Sequence, residues 1–325
     1  MYAISVIIPC FNAQEHLPAC LASIRVQRME AVEYIFIDDG SSDATAQMLD
    51  QFAAKFKRAR VIHQKNAGVS AARNRGISVS SGKYIAFLDA DDAYEEEALI
   101  KLYRLAEQTS AEITSADHTI FYERTQQRVP VVQEDVPANA QDVVEQIIGM
   151  HRIYNNLWNK LYRRTLFERE SMRLDEGIRI GEDAALNLRL YLSAKRIAHL
   201  QQRTYVYRVH EKSAMASVPG GYAKAHAAML ENMSRTLTQW GVKEKYFDLF
   251  LYSAMWIHEK EKGVMRAARE FSTAVRPLVS SGINSQKLSG RSVKLYRMIE
   301  TGLFPAYYIA RHAVRKLMKK RGNQR

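Results

Sequence analysis

Phe87–Asp92 reads FLDADD, so Asp89, Asp91 and Asp92 place three carboxylates within four residues. Carboxylates packed this closely repel one another unless positive charge sits among them. A divalent cation answers that need, because Mg2+ and Mn2+ favour carboxylates together with phosphate oxygens of a substrate. The plainer alternative is a solvated acidic turn that caps the helix starting near Glu95. Ile37–Asp43, IDDGSSD, brings a second carboxylate pair. An acidic residue after the second strand of a nucleotide-binding sheet reads ribose or base hydroxyl and N–H groups, although Asp-Gly-Ser-Ser is also good turn chemistry. Neither Gly-x-Gly-x-x-Gly nor Gly-Lys-Ser/Thr occurs, which argues against a dinucleotide dehydrogenase and a P-loop NTPase.

Both acidic clusters follow apolar runs. Ile4–Ile8, Tyr34–Asp38, Arg60–His63 and Tyr84–Leu88 are short and largely continuous, as strands buried on both faces of a parallel sheet are. Between them Leu17, Leu21 and Ile24 space one helix. Met48, Leu49, Phe52 and Phe56 space another, with Ser42 or Asp43 as its N-cap. Alternation of strand and helix predicts a doubly wound α/β sheet, whose ligands bind outside the carboxyl ends of the strands. Pro9–Asn12, Asp38–Ser41 and Asp89–Asp92 should therefore converge. After Gly220 the pattern becomes helical, over 222–240, 244–262 and 264–280. The expected division is a catalytic domain over 1–218 and a helical region with a basic tail over 219–325.

Five motifs in order, VIIPCFN (Val6–Asn12), IDDGSSD, NAGVSAARNRG (Asn66–Gly76), FLDADD and GED (Gly181–Asp183), resemble the family 2 glycosyltransferases. The resemblance covers Ser5–Ser213. It implies a GT-A fold, Rossmann-like with a mostly parallel sheet and flanking helices, to which this chain adds its C-terminal helical region. It also implies a nucleotide-sugar donor, usually UDP-linked, a divalent metal (Mn2+ or Mg2+), and transfer with inversion at the anomeric carbon.

On that resemblance Pro9, Phe11 and Asn12 match the loop that contacts the nucleoside, with Phe11 where the family often has tyrosine. Asp39, beside Asp38, matches the carboxylate that reads uracil or ribose, and Asn66 and Arg73 match positions lining the nucleotide pocket. Asp89 and Asp91 match the DxD pair around Ala90, the first facing donor ribose or sugar, the second the metal. Inversion needs a base for the acceptor hydroxyl. The aspartate of the ED pair has that role in the family, which assigns Asp183, with Glu182 orienting it or meeting the acceptor. The alternative is that both acids only complement a helix dipole. Trp158, Asn159 and Lys160 of LWNKLYRR resemble an acceptor-side segment of capsule and lipopolysaccharide members. Otherwise Trp158 is core and Lys160 surface. In YVYRVHEKSAM the pattern puts His210 near the metal or diphosphate, and Arg208 could meet the diphosphate. Asp43, Asp92, Cys10 and Cys20 are left as structural.

The 325 residues carry a net charge of +12, with 47% hydrophobic and 25% charged residues, so disorder and a disulfide-stapled mini-protein are excluded. Two cysteines give no sign of an oxidising compartment. The N-terminus lacks the basic and small-residue features of a signal peptide, and a cytoplasmic protein is expected. Arg291–Arg325 holds ten basic residues against Glu300 alone. On a helical wheel Tyr307, Ala310, Val314, Leu317 and Met318 oppose Arg311, Arg315, Lys316, Lys319 and Lys320. Such a helix can lie on anionic lipid at the inner face of the cell membrane, which suits a glycan or lipid-linked acceptor. It can equally pack on its own protein. No nucleic-acid module accompanies the charge, so nucleic acid is not an expected partner. The apolar C-terminal helices could support a homodimer. Without membrane spans or a Gln-x-x-Arg-Trp motif, single addition is expected rather than processive synthesis. The competing readings are a nucleotidyltransferase that makes NDP-sugars, and a non-catalytic binder of anionic surfaces on a transferase scaffold.

Overall fold

The computed structural model describes residues 2–134, 137, 139–149, 155–169, 172–178, 180–211, 222–251, 265, 269, 273, 276 and 283–312. Two compact units emerge. One comprises Met1–Val144, Arg152–Gly177 and Glu182–Ser217, the other Glu145–His151, Ile178–Gly181 and Val218–Arg325.

The first unit is built on a nine-stranded sheet in the order β3-β2-β1-β4-β8-β6-β9-β5, with β7 paired to β6. Its opening half is the α/β alternation expected from the apolar runs. β1 (Ile4–Cys10), β2 (Val32–Asp38), β3 (Ala59–His63) and β4 (Tyr84–Phe87) are parallel neighbours. Between them run α1 (Leu17–Arg25), α2 (Thr45–Lys55) and α3 (Val69–Val79). β1 and β2 are buried along their whole length, which is why they read as unbroken apolar runs rather than alternating ones. The N-cap of α2 is Ala44, not Ser42 or Asp43, and its side chain makes no cap bond. Asp43 Oδ1 nevertheless accepts the Thr45 amide at 2.9 Å.

The second half of the sheet is mixed. After β5 (Ala93–Tyr94) and α4 (Ala98–Thr109) come β6 (Ile113–Tyr122), β7 (Gln127–Val131) and β8 (Lys160–Arg163). β8 lies antiparallel to both β4 and β6. α5 (Ala140–Ile148) and α6 (Glu182–Ser193) come before β9 (Ile197–Val209), which runs parallel to β6, the register shifting at Ala116–His118 of β6. This arrangement aligns the end of β9 with the acidic loop after β4. One buried cluster joins Ile4, Val6, Ile8, Leu17, Phe36, Leu99, Trp158 and Tyr205, so sheet and outer helices share a core.

The second unit contains the helices Tyr222–Gln239 and Gly290–Glu300, near the first expected helical stretch and within the basic region. Most of the expected helices over 244–262 and 264–280, and the tail beyond residue 312 with its basic wheel, lie outside the described residues, as does Ser213. Among the described residues no helix is long and apolar enough to cross a membrane.

Candidate active site

The loops after β1 and β2 are stitched together by side chains. Asn12, at φ +48°, presents its amide to Ser41 Oγ at 3.1 Å, while its Oδ1 accepts the Ser42 amide at 2.8 Å. Asparagine tolerates this left-handed geometry better than most residues. The turn leaves Phe11 53% exposed, and Pro9 stays inside β1 opposite Ile37. Asp38 is buried, yet hydrogen bonds from Ser41 and from His63, whose Nδ1 is 2.9 Å away, hold its carboxyl below the usual range despite that burial. Asp39 accepts Gln64 Nε2 and the Ala67 amide on one oxygen and the Gly68 amide on the other, all at 2.8–2.9 Å. It thereby fixes the loop that opens α3 and carries the exposed Asn66. Gly40 at φ +73° is part of the same design, since a Cβ there would sit 2.8 Å from the Asn66 amide nitrogen.

α3 brings Arg73 to the centre. Its side chain is 6% exposed and touches three carboxylates: Nη2 reaches Asp89 at 2.8 Å, and Nη1 reaches Asp183 at 2.8 Å and Glu182 at 3.2 Å. Burial acts to lower the guanidinium, but the charges of Asp183, Asp89 and Glu182 overcome it and raise it. Burial also raises Asp89, and it pushes Glu182 up to about 7 with help from the neighbouring Asp183 charge. The next residue, Asn74, bonds the backbone of Leu174 and the Glu176 carboxylate. α3 therefore anchors both the acidic pair and the segment ahead of it. Both acids open α6, where the helix N-terminus favours negative charge.

On the other side, Asp91 Oδ2 stands 3.0 Å from His210 Nε2. Asp92, read from sequence as structural, ties the acidic loop to β9. Its two oxygens accept the Tyr205 hydroxyl and the Arg208 amide, each at 2.7 Å. Arg208 turns its guanidinium to Glu123 and the Asp91 carbonyl, both at 3.0 Å, and covers the Phe121 ring. Ala90 is buried between the two aspartates. His16, Glu123 and Tyr205 went unnoticed in the sequence. The His16 ring packs against His210 at a tilt, centroids 4.2 Å apart, and lies 3.7 Å from Glu123. Its place in the loop after β1 was the available signal.

Arg73 thus gathers Asp89, Glu182 and Asp183, Asp91 meets Arg208 and His210, and the acidic loop, held by the Tyr205 hydroxyl, joins the two sets. Trp158 lies in the core, stacked on Tyr205 and Tyr207 at 4.7 and 5.3 Å. Lys160 is 1% exposed rather than a surface residue, and its ammonium bonds the chain itself.

Residues 5–173 match the family model "Glycosyl transferase family 2". The chain belongs to that family. Among its relatives, the uncharacterized glycosyltransferase EpsJ of Bacillus subtilis is 34% identical over 216 residues, 65% of this chain and 62% of EpsJ. This chain therefore spans less than two thirds of that relative. The fold is that of Staphylococcus aureus TarS 1–349 in its UDP-GlcNAc complex (TM-score 0.67, 18% identity, 97% and 92% of the two chains covered). The mannosyltransferase PcManGT of Pyrobaculum calidifontis, in complex with GDP-Man and Mn2+, is also similar (TM-score 0.56, 17% identity, 98% and 88% covered). These likenesses identify a GT-A architecture.

Proposed function

We propose that this chain is an inverting, metal-dependent glycosyltransferase. It moves a sugar from a nucleotide-diphosphate donor, UDP-linked, to a hydroxyl of a glycan or lipid-linked acceptor. The observation that carries this reading is the Arg73 bridge: one buried guanidinium joins the first aspartate of the DxD pair to both members of the ED pair. Donor-side and acceptor-side groups therefore belong to a single electrostatic unit. The UDP-GlcNAc held by TarS supports the donor class.

In this reading the exposed Phe11 ring offers its face to the base, while Asp38, Asp39 and Asn66 set the loops around the nucleoside. Asp89 orients the donor sugar. The acceptor oxygen attacks the anomeric carbon from the face opposite the diphosphate. As that bond forms, the bond to the diphosphate oxygen breaks, and Asp183 takes the hydroxyl proton. Glu182 accompanies Asp183 at the acceptor, and Arg73 holds both acids in place.

Asp91 and His210 fit a divalent ion. Their oxygen and nitrogen face each other at 3.0 Å, and the Asp91 side chain is 37% exposed. Two protein ligands leave the rest of the shell to substrate phosphate and water, as Mg2+ and Mn2+ at phosphate sites commonly have it. Bound there, Mn2+ or Mg2+ would neutralise charge on the leaving diphosphate.

The same reading places the enzyme at the inner face of the membrane. On the helix Gly290–Glu300, Lys294 and Arg297 are exposed beside Val293 and Met298, and with Leu303 and Tyr307 they line a groove of about 640 Å3. Apolar surface mixed with basic charge suits anionic lipid.

Calorimetric titration with UDP, GDP, TDP and CDP, in Mn2+ and again in EDTA, tests the donor. Mn2+-dependent binding of UDP is expected, followed by UDP release from a UDP-sugar and its loss in Asp183→Asn. Release of pyrophosphate instead would indicate a nucleotidyltransferase, and an unimpaired Asp183→Asn would overturn the assignment of the base.

A further inference from the structure

The peptide unit between Asn156 and Leu157 is held at both ends. Its carbonyl oxygen accepts Lys160 Nζ at 2.7 Å and Asn187 Nδ2 at 2.8 Å. Its N–H donates to Asp183 Oδ2 at 3.3 Å. A trans peptide is planar with C=O and N–H pointing opposite ways, so whatever pins the carbonyl also aims the N–H. Lys160 is fully buried at the start of β8. Asn187 lies on α6, four residues after Asp183, and its Oδ1 accepts the Tyr162 hydroxyl at 2.7 Å. The Lys160 ammonium also bonds Asn159 Oδ1 at 2.9 Å.

A buried cation is costly unless it serves bonds that only it can make. Burial lowers Lys160 to about 7, and the nearby Asp183 charge works against that fall. In its protonated form the ammonium also polarises the peptide through the carbonyl and strengthens its N–H as a donor. Asp183 thus has two partners on separate oxygens. Arg73 takes Oδ1 at 2.8 Å, and the 156–157 peptide takes Oδ2.

We infer that Lys160 is a positioning residue for Asp183, acting through the Asn156–Leu157 peptide rather than by touching the acceptor. The inference rests on Asp183 being the base of the proposed transferase, but the contact itself can be tested without activity.

The full chain carrying Lys160→Met, and separately Lys160→Gln, would be compared with the wild type. Amide hydrogen exchange at Leu157 should quicken at least tenfold in Lys160→Met, with the other β8 and α6 amides unchanged. It should quicken less in Lys160→Gln, which keeps a neutral donor. UDP release from a UDP-sugar should fall about tenfold in kcat, with donor KM within twofold. If Lys160→Met does not fold, Lys160→Gln alone decides through the same Leu157 amide. Unchanged exchange at Leu157 would overturn the inference even in an active transferase, as would quickening shared by every amide, which marks a purely structural lysine. Quickened exchange in a protein that released UDP from no sugar would leave the contact standing and remove the transferase reading instead.

Discussion

Arg73 Nη1 and Asp183 Oδ1 lie 2.8 Å apart in a site where the arginine side chain is almost wholly enclosed. The same guanidinium holds Asp89 through its other terminal nitrogen. Its planar fork spans two groups that an ammonium could not reach together. Arg73→Lys should therefore keep the charge and lose the geometry. We expect kcat for UDP release to drop by at least 100-fold. Removing the charge altogether, in Arg73→Met, leaves three carboxylates without their cation and should cost about 3–5 kcal/mol of stability. Urea denaturation of both variants, with steady-state kinetics on Arg73→Lys, checks the two effects separately.

Glu182 makes a pH prediction. Its carboxyl is raised to about 7 from an ordinary value near 4.5, by burial first and by Asp183 second. A raised acid binds its proton more tightly in the folded chain, so its contribution is present below the unfolded value and is lost as pH rises through 7. Across that window the loss is about 3 kcal/mol at most. Glu182→Gln cannot ionise and should flatten this fall. Urea midpoints between pH 5 and 8 for wild type and variant measure it. Parallel curves would show that Glu182 does not titrate in that range.

The parallel half of the fold was legible because β1, β2 and β4 are buried on both faces and end in polar loops, although the edge strand β3 is not buried as its run implied. Ile4–Ile8 and Tyr34–Asp38 announce themselves as apolar runs, and α1 and α2 by their spacing. The mixed half was not. β8 is four residues long and includes a buried lysine, and β6 holds Thr114, Ser115, Asp117 and His118 inside the protein. Two of these polar groups are satisfied from far along the chain, where His199 bonds Ser115 at 2.8 Å and Asp117 at 3.0 Å. No local pattern discloses such pairs. For the same reason the motifs supplied Asp89, Asp91 and Asp183, but not Tyr205 or His16, whose roles exist only once β9 and the β1 loop reach the acidic turn.

Gly76 tests whether helix placement governs the site. It lies three residues after Arg73 on α3, and a Cβ there would come within 2.3 Å of Ile7 Cγ2 on β1. The absent side chain is what lets helix and strand approach closely. Gly76→Ala should push α3 outward, costing about 1–3 kcal/mol from overpacking. The shift would also carry Arg73 away from its carboxylates. Activity should then fall by more than the lost stability explains at a temperature where the variant is fully folded. Pairing Gly76→Ala with Ile7→Ala, which removes the clashing Cγ2, should restore part of the activity. Failure of that rescue would show that the loss does not arise from the contact of α3 with Ile7.

Asp91 and His210 make the last prediction, on the cation. If they hold Mn2+ in the way proposed, each should contribute to metal-dependent nucleotide binding without affecting the fold. Asp91 is partly exposed and its carboxylate meets His210, so Asp91→Asn preserves shape while withdrawing charge. Asp92 must not be substituted for this purpose, because its buried oxygens secure Tyr205 and the Arg208 amide. By calorimetry the wild type should bind UDP at least tenfold more tightly in Mn2+ than in EDTA. Asp91→Asn should abolish that difference, and His210→Ala should reduce it. Binding in EDTA should be nearly equal in all three, since Phe11 and the loops held by Asp38 and Asp39 are untouched. Mn2+ dependence that survived both substitutions would move the ion elsewhere, and equal binding in Mn2+ and EDTA by the wild type would leave charge neutralisation to the protein's own cations.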